Sequence, residues 1–343
     1  MSTFIIAEAG VNHDGDPERA IQLVEVAAQS GADAVKFQTF SADKLTRKGA
    51  EKAEYQKKMT GDGDQHAMLA RLEMSDELHH TLVKRSAELG IEFMSTAFDA
   101  DALDFLVSVG IRRIKVPSGE ITNLPFLAHM ASKDLPIIVS TGMADMAEVK
   151  GAVDAIRAER NRLGFTEPLE DIVTILHCTS NYPAAASDVN LRAMLSMADE
   201  IGLPVGYSDH TQGIAISTAA VAMGATVIEK HFTLDKTLPG PDHSASLEPH
   251  ELNALVRSIR DVEAARGDGI KAPTASELPV RALVRRSVTT VRDIAAGAAL
   301  TADDVALLRP GTGIPPAEFQ SVLGKRTRQA IPAGQTIQWT DLQ

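Results

Sequence analysis

Only one cysteine, Cys178, occurs among 343 residues, so no disulfide can close within the chain, and a reducing compartment is expected. Aromatic residues are scarce at 4%, and the core must be assembled mainly from Ile, Val, Leu, Ala and Met. Positive charge is short as well. Against 46 Asp and Glu stand 34 Lys and Arg, a net charge of −12, which argues against nucleic acid or an anionic membrane surface as the main partner. An anionic substrate would need a local cluster of cations. No stretch approaches the roughly 20 apolar residues of a membrane span. The chain enters its first apolar run, Phe4-Ile5-Ile6-Ala7, with no basic region or cleavage site before it, and a soluble cytoplasmic protein is the expectation.

What is present is a rhythm. Over residues 1–266, short β-branched runs alternate with longer segments whose apolar residues recur at helical spacing. The runs read as strands are Phe4–Ala7, Ala34–Phe37, Glu92–Met94, Arg113–Val116, Pro136–Val139, Ile172–Leu176, Val205–Tyr207 and Ala225–Ile228. Between them, "PERAIQLVEVAAQSG" carries Pro17 near its start and Gly31 past its end, while "SDELHHTLVKRSAELG" offers Ser75 as N-cap and Gly90 as stop. Eight strand–helix units over about 260 residues have the size of a (β/α)8 TIM barrel. A doubly wound open sheet is the competing architecture, but "AEAGVNHDG" after the first strand does not fit G-x-G-x-x-G.

Each strand ends in polar residues. The tips supply Glu8; Lys36 and Gln38; Thr96; Lys115, Ser118 and Glu120; Ser140 and Thr141; His177 and Ser180; Ser208, Asp209 and His210; and Glu229, Lys230 and His231. In a barrel these tips converge on one mouth, where such folds place their chemistry. Taken singly, a hydroxyl after a strand is most often the cap of the next helix, and a lone lysine can snorkel. Two lysines, two carboxylates and two histidines at one rim of an acidic protein are hard to assign to capping.

His210 and His231, at adjacent strand ends, suit one divalent ion, with waters or a carboxylate such as Glu8 or Asp242 completing it. Without a thiolate pair, Mn²⁺, Mg²⁺ or Co²⁺ fits better than structural zinc, acting as a Lewis acid on a carbonyl oxygen. Lys36 and Lys115, with hydroxyls of Thr96, Ser118 and Ser208, form a cradle for a phosphate and a carboxylate. Glu8 and Glu120 are candidates for proton transfer or for holding substrate hydroxyls. After the eighth strand, Pro239-Gly240-Pro241 forces a turn that would hold Asp242 over the mouth. The residues alone point to a metal-assisted carbon–carbon bond enzyme that handles a phosphorylated acid.

The tail reads as a separate module. "GDGIKAPTASELPVRA", residues 267–282, has linker composition. Beyond it, "DIAAGAALTADDV" and "AIPAGQTIQWTDL" repeat at an offset of 37, aligning Ile294 with Ile331, Gly297 with Gly334, Leu300 with Ile337 and Asp304 with Asp341. A pseudo-symmetric, mostly β domain over 283–343 is expected. Arg309 stands before Pro310-Gly311 between the two halves.

The motifs "AEAGVNH", "VKFQTF", "KVPSGE", "STGM", "HCTSNYP", "GYSDHT", "EKHFT", "PGPDHSAS" and "RPGTG", in this order along nearly the whole chain, resemble those of the sialic acid synthase family. The resemblance implies a TIM barrel joined to a C-terminal antifreeze-like (SAF) domain in a domain-swapped homodimer. It implies condensation of phosphoenolpyruvate with an N-acetylmannosamine-type sugar and water, with release of phosphate. On the matching positions, His210 and His231 would hold the metal. Lys36, Thr96, Lys115, Ser118, Ser208 and Ser180 would bind phosphoenolpyruvate. Gln38, Glu120, Tyr182 and Asp242 would hold the open-chain sugar, Arg309 would reach the acetamido group in the partner's barrel, and Glu8 would lie beside the reacting atoms. Two positions depart from the family pattern: Ala97 stands where many members have proline, and Ser180 where some have asparagine. N-acetylneuraminate synthesis is the first expectation. N,N′-diacetyllegionaminate synthesis is the alternative, with pseudaminate synthesis, a metal-dependent aldolase and a non-catalytic sugar-binding protein behind it.

Overall fold

The structure, a computed structural model, describes residues 2–343, apart from the side chains of Tyr55 and Lys58. Two compact units divide the chain, Met1–Gly267 and Asp268–Gln343. In the first, eight parallel strands close into a barrel in sequence order: β1 (Phe4–Gly10), β2 (Ala34–Thr39), β3 (Glu92–Ala97), β4 (Ile114–Val116), β5 (Ile137–Ser140), β6 (Val173–Cys178), β7 (Val205–Asp209) and β8 (Val227–His231). The strands are buried on both faces, which is why they read as continuous apolar runs rather than alternating ones.

The two faces do different work. Outward residues such as Ile5, Ala7, Val35, Phe37 and Val139 join the large core between the strands and the surrounding helices. Inward residues Ile6, Ala34, Met94, Ile138, Leu176 and Val227 form a separate apolar plug inside the barrel. Burying each large aliphatic side chain of this kind contributes about 1.5–3 kcal/mol. Gly206 completes the plug. A Cβ there would come 2.4 Å from the Val227 carbonyl oxygen and 2.6 Å from Leu176 Cδ2, so only glycine fits.

The helices start and stop where their local chemistry requires. Asp16 accepts from the backbone N–H groups of Glu18 and Arg19 before the helix Pro17–Gln29, and Ser75 accepts from Leu78 N–H at 3.2 Å before the helix Asp76–Leu89. Gly90 then ends the second of these in the left-handed region, at φ 73°.

In the second unit, β9 (Ser287–Thr290) pairs antiparallel with β10 (Val305–Leu308). The internal repeat is structural. Ile294 and Ile331 form an antiparallel bridge, and Leu300 and Ile337 share one core with Val288 and Val305. Asp304 and Asp341 each close a short 3₁₀ turn by accepting N–H groups, from Thr301 and Gln338. A helix, Glu277–Val284, occupies the later part of the stretch whose composition reads as linker. Thr274 N–H donates to the Glu277 carboxylate at 2.7 Å just ahead of it, and Pro279 falls in the first turn, where it costs little.

Candidate active site

The site follows from strand periodicity. Side chains two residues apart point to the same face, roughly 7 Å apart along the strand. Two positions beyond the plug residues stand Glu8, Lys36, Thr96, Ser140, Cys178, Ser208 and Glu229, and β4 adds Lys115. All are buried. Two positions further on come Gln38, Phe98, Ser180, His210 and His231. Together they line a cavity of about 250 Å³ at the C-terminal mouth of the barrel.

The deeper layer is a charge cluster. Lys36 Nζ lies 2.8 Å from Glu8 Oε2, 3.6 Å from Glu229 Oε2 and 2.7 Å from Thr96 Oγ1, while Lys115 Nζ lies 3.2 Å from Glu229 Oε1. Ser208 donates to Glu229 at 2.9 Å. Glu229 thus faces both lysines, and Glu8 pairs with one. Burial opposes ionisation of both carboxylates. For Glu229 the attraction of Lys115 and Lys36 overcomes burial and holds it well below the usual carboxylate range. For Glu8 burial prevails over Lys36, and its pKa is pushed up to about 7. Burial also opposes the charge on Lys36, but Glu229 and Glu8 hold its pKa above the ordinary value; burial leaves Lys115 below it. The environment separates two carboxylates into a permanent anion and a group that can exchange a proton near neutrality.

The upper layer carries the histidines. Their ring centres are 5.4 Å apart, which lets one nitrogen of each reach a shared ion at about 2.0–2.1 Å, taking the metal–imidazole distance known for zinc. His210 Nδ1–H donates to the Thr179 carbonyl at 2.6 Å, leaving Nε2 for the cavity. His231 Nδ1 is buried with no hydrogen-bond partner, and Asp242 Oδ2 stands 3.9 Å from it. Burial and the neighbouring His210 keep the His231 pKa well below the usual histidine value, so the ring is neutral, the form a metal binds. Among the described residues no three His, Cys, Asp or Glu side chains come together as a metal-holding group. The Tyr182 ring centre lies 4.1 Å from that of His210, the planes tilted by 34°, and meets His231 edge-on at 5.5 Å.

A hydroxyl-rich corner lines the same cavity as Lys115. Ser118 Oγ accepts the Gly142 N–H at 3.0 Å, and a Cβ on Gly142 would come 2.2 Å from Ser180 Oγ and 2.8 Å from Ser118 Oγ. Of the strand-end hydroxyls that could have been helix caps, Ser208 faces the cavity and Thr141 donates to the Leu176 carbonyl. The cap of the helix Met146–Leu163 is Asp145 instead.

A model of the NeuB family matches residues 23–271, and one of the SAF domain matches residues 285–343. The chain belongs to the NeuB family. It is 55% identical to the N,N′-diacetyllegionaminic acid synthase of Legionella pneumophila, covering 100% of this chain and 95% of that protein. It is 46% identical to the protein of the same name from Campylobacter jejuni (94% and 95%) and 37% identical to human N-acetylneuraminate-9-phosphate synthase (97% and 91%). The solved N-acetylneuraminic acid synthetase of Leptospira borgpetersenii superposes with a TM-score of 0.71 at 33% identity, covering 82% of this chain and 90% of that one. This NeuB family member is an enzyme of the sialic acid synthase type.

Of the residues singled out from sequence, Glu8, Lys36, Gln38, Thr96, Lys115, Ser118, Ser180, Tyr182, Ser208, His210, His231 and Asp242 all line the one cavity. Burial pushes the Asp242 carboxyl up to about 6, with His210 opposing. Glu120 is not among the lining residues. It sits on the short turn Ser118–Glu120, one residue past the inward-facing part of the loop, and its carboxylate accepts from Asn123 Nδ2 at 2.7 Å. Arg309 lies exposed in the second unit. Three strand-end residues of β6–β8 face outward: Lys230 pairs with Asp209 at 3.0 Å and donates to the Thr211 carbonyl, and His177 bonds the Val189 carbonyl. Glu229 received no role from sequence reasoning. The signal was available, because two buried lysines in one layer need more than one carboxylate to offset them.

No helix among the described residues is long and apolar enough to cross a membrane.

Proposed function

We propose that this chain condenses phosphoenolpyruvate with open-chain 2,4-diacetamido-2,4,6-trideoxymannose and water, giving N,N′-diacetyllegionaminate and phosphate. The observation that carries the reaction class is the buried Lys36–Glu8 and Lys115–Glu229 cluster directly beneath two imidazoles that can share an ion. The choice of sugar rests on the two relatives named for N,N′-diacetyllegionaminic acid, which are nearer in sequence than the human N-acetylneuraminate-9-phosphate synthase. N-acetylmannosamine, the first expectation from sequence, is the second reading.

In this reading Lys36 and Lys115 bind the phosphate and carboxylate of phosphoenolpyruvate, helped by Thr96, Ser118, Ser180 and Ser208. His210 and His231 would hold a divalent cation, Mn²⁺ or else Mg²⁺ or Co²⁺, whose contribution is to polarise the sugar aldehyde. Gln38, Tyr182 and Asp242 orient the sugar chain. C3 of phosphoenolpyruvate attacks the aldehyde carbon, forming the new carbon–carbon bond. Water adds to the resulting cationic C2 and Glu8 accepts the proton it loses, the aldehyde oxygen takes up a proton to become the new hydroxyl, and the C2 hydroxyl gives up its proton as the tetrahedral centre breaks its C–O bond to expel phosphate. Arg309 would act from a second copy in a domain-swapped homodimer, on the acetamido group.

The test is phosphate release and product mass with Mn²⁺, phosphoenolpyruvate and each sugar in turn. One phosphate per N,N′-diacetyllegionaminate is expected. Turnover of N-acetylmannosamine alone would overturn the sugar assignment.

A further inference from the structure

We infer that an apolar wall on one side of the barrel mouth, built by Val11, Leu69, Leu72 and Phe98, receives the far end of the sugar and selects a methyl group over a hydroxymethyl group at C6. The inference rests on the proposed reaction and deepens it.

The mouth is two-sided. Above β6–β8 it is polar, with Tyr182, His210, His231 and Asp242. Above β1–β3 it is apolar apart from Gln38, and Gln56 of the helix Glu54–Thr60 also lines the cavity. Val11 follows β1, Phe98 follows β3, and Leu69 and Leu72 come from the helix Gln65–Ala70 and the turn after it. These residues form one cluster with Phe40, which meets Phe98 edge-on at 5.9 Å. Val11 and Leu72 are buried, while Leu69 and Phe98 are only partly so, and both line the cavity. The cluster is fixed from behind and open on the side that faces the cavity.

The direction of the substrate follows from the chemistry. The aldehyde carbon must lie between the imidazoles and phosphoenolpyruvate, on the lysine floor. The sugar's other end is then carried outward, past Gln38, toward the rim. The next inward position beyond Thr96 is Phe98, not a polar residue. A hydroxyl brought there would lose water without gaining a partner, whereas a methyl group fits. An apolar pocket rejects an added hydroxyl by up to about 100-fold.

The experiment isolates C6. Values of kcat/KM are measured for 2,4-diacetamido-2,4,6-trideoxymannose and for its 6-hydroxy counterpart, with wild type, Leu69→Asn, Leu69→Met and Phe98→Tyr. Wild type and Leu69→Met should prefer the 6-deoxy sugar by roughly 10- to 100-fold, and Leu69→Asn and Phe98→Tyr should each cut that ratio about tenfold or more. Phe98→Tyr keeps the ring and its packing, so it stays informative if Leu69→Asn is too unstable to assay. Equal use of both diacetamido sugars by wild type, or an unchanged ratio in both polar variants, would overturn the wall and leave the proposed reaction standing. Turnover of N-acetylmannosamine but of neither diacetamido sugar would overturn the reaction, and the wall with it.

Discussion

The carboxylate of Glu229 lies 3.2 Å from the ammonium of Lys115, and its other oxygen lies 3.6 Å from Lys36. One buried anion thus faces both lysines of the cavity. Replacing it with an uncharged isostere leaves Lys36 to Glu8 and takes from Lys115 the carboxylate it pairs with. Breaking a buried ion pair costs about 3–5 kcal/mol, so Glu229→Gln should unfold at distinctly lower urea concentration than wild type. Inorganic phosphate should then stabilise the variant more than wild type, because it supplies the missing charge where the carboxylate no longer competes. Equal phosphate-induced shifts in melting temperature would count against this role.

Glu8 is the other half of the arrangement. It faces only one lysine, and burial raises its pKa to about 7. A group poised near neutrality is suited to proton transfer, which is typically worth 10²- to 10⁴-fold in rate. Glu8→Gln should therefore lower kcat by at least about 100-fold, read as phosphate release at saturating substrates. Full turnover would remove Glu8 from the proton-transfer step.

How far this site could be read from sequence depends on the strand ends. The eight strands are recognisable from their apolar runs, but most ladders continue past the last apolar residue. Thr96 and Ala97 still pair within β3, and Glu229, Lys230 and His231 lie inside β8, not after it. Apolar runs report removal from water, whereas the backbone ladder is indifferent to what the side chains carry. That extension is what makes the period of two govern the polar residues. Glu229 and His231 face in, and Lys230 faces out to Asp209. Glu120 escapes the rule because it stands on a 3₁₀ turn, where strand parity has ended. In the same way, composition marks residues 267–282 as linker, yet a helix begins at Glu277, whose carboxylate accepts from Thr274 N–H and Oγ1–H.

Gly142 makes a different kind of prediction. An alanine Cβ there would overlap Ser180 Oγ and Ser118 Oγ. Both oxygens end short side chains, so rotation relieves the closest contacts at the cost of the Gly142 N–H bond to Ser118, with Ser118 Cβ still 3.2 Å away, and it moves both hydroxyls from their places in the cavity wall. Gly142→Ala should raise KM for phosphoenolpyruvate by about tenfold, the equivalent of one hydrogen bond to a charged group. Its melting temperature should change by only a few degrees. An unchanged KM would show that the serines do not contact the anion.

The last prediction concerns stability against pH, through His13. The ring is fully buried and its Nδ1 accepts the Gly15 N–H at 3.0 Å, which requires that nitrogen to be unprotonated. Nε2 has no partner. Burial lowers the pKa to about 4, against 6.5 for the free side chain. Between these values the unfolded chain binds a proton that the folded protein does not, so stability rises with pH across the window. The contribution is complete above pH 6.5 and is lost as pH falls toward 4, at about 1.4 kcal/mol per pH unit. Other buried groups titrate too, so the measurement is a comparison: urea unfolding at pH 7.5 and 5.0 for wild type and His13→Gln, in which the amide oxygen can still accept from Gly15. Wild type should lose about 2 kcal/mol more than the variant between the two pH values. Parallel losses in the two proteins would mean that His13 already binds its proton in the native state.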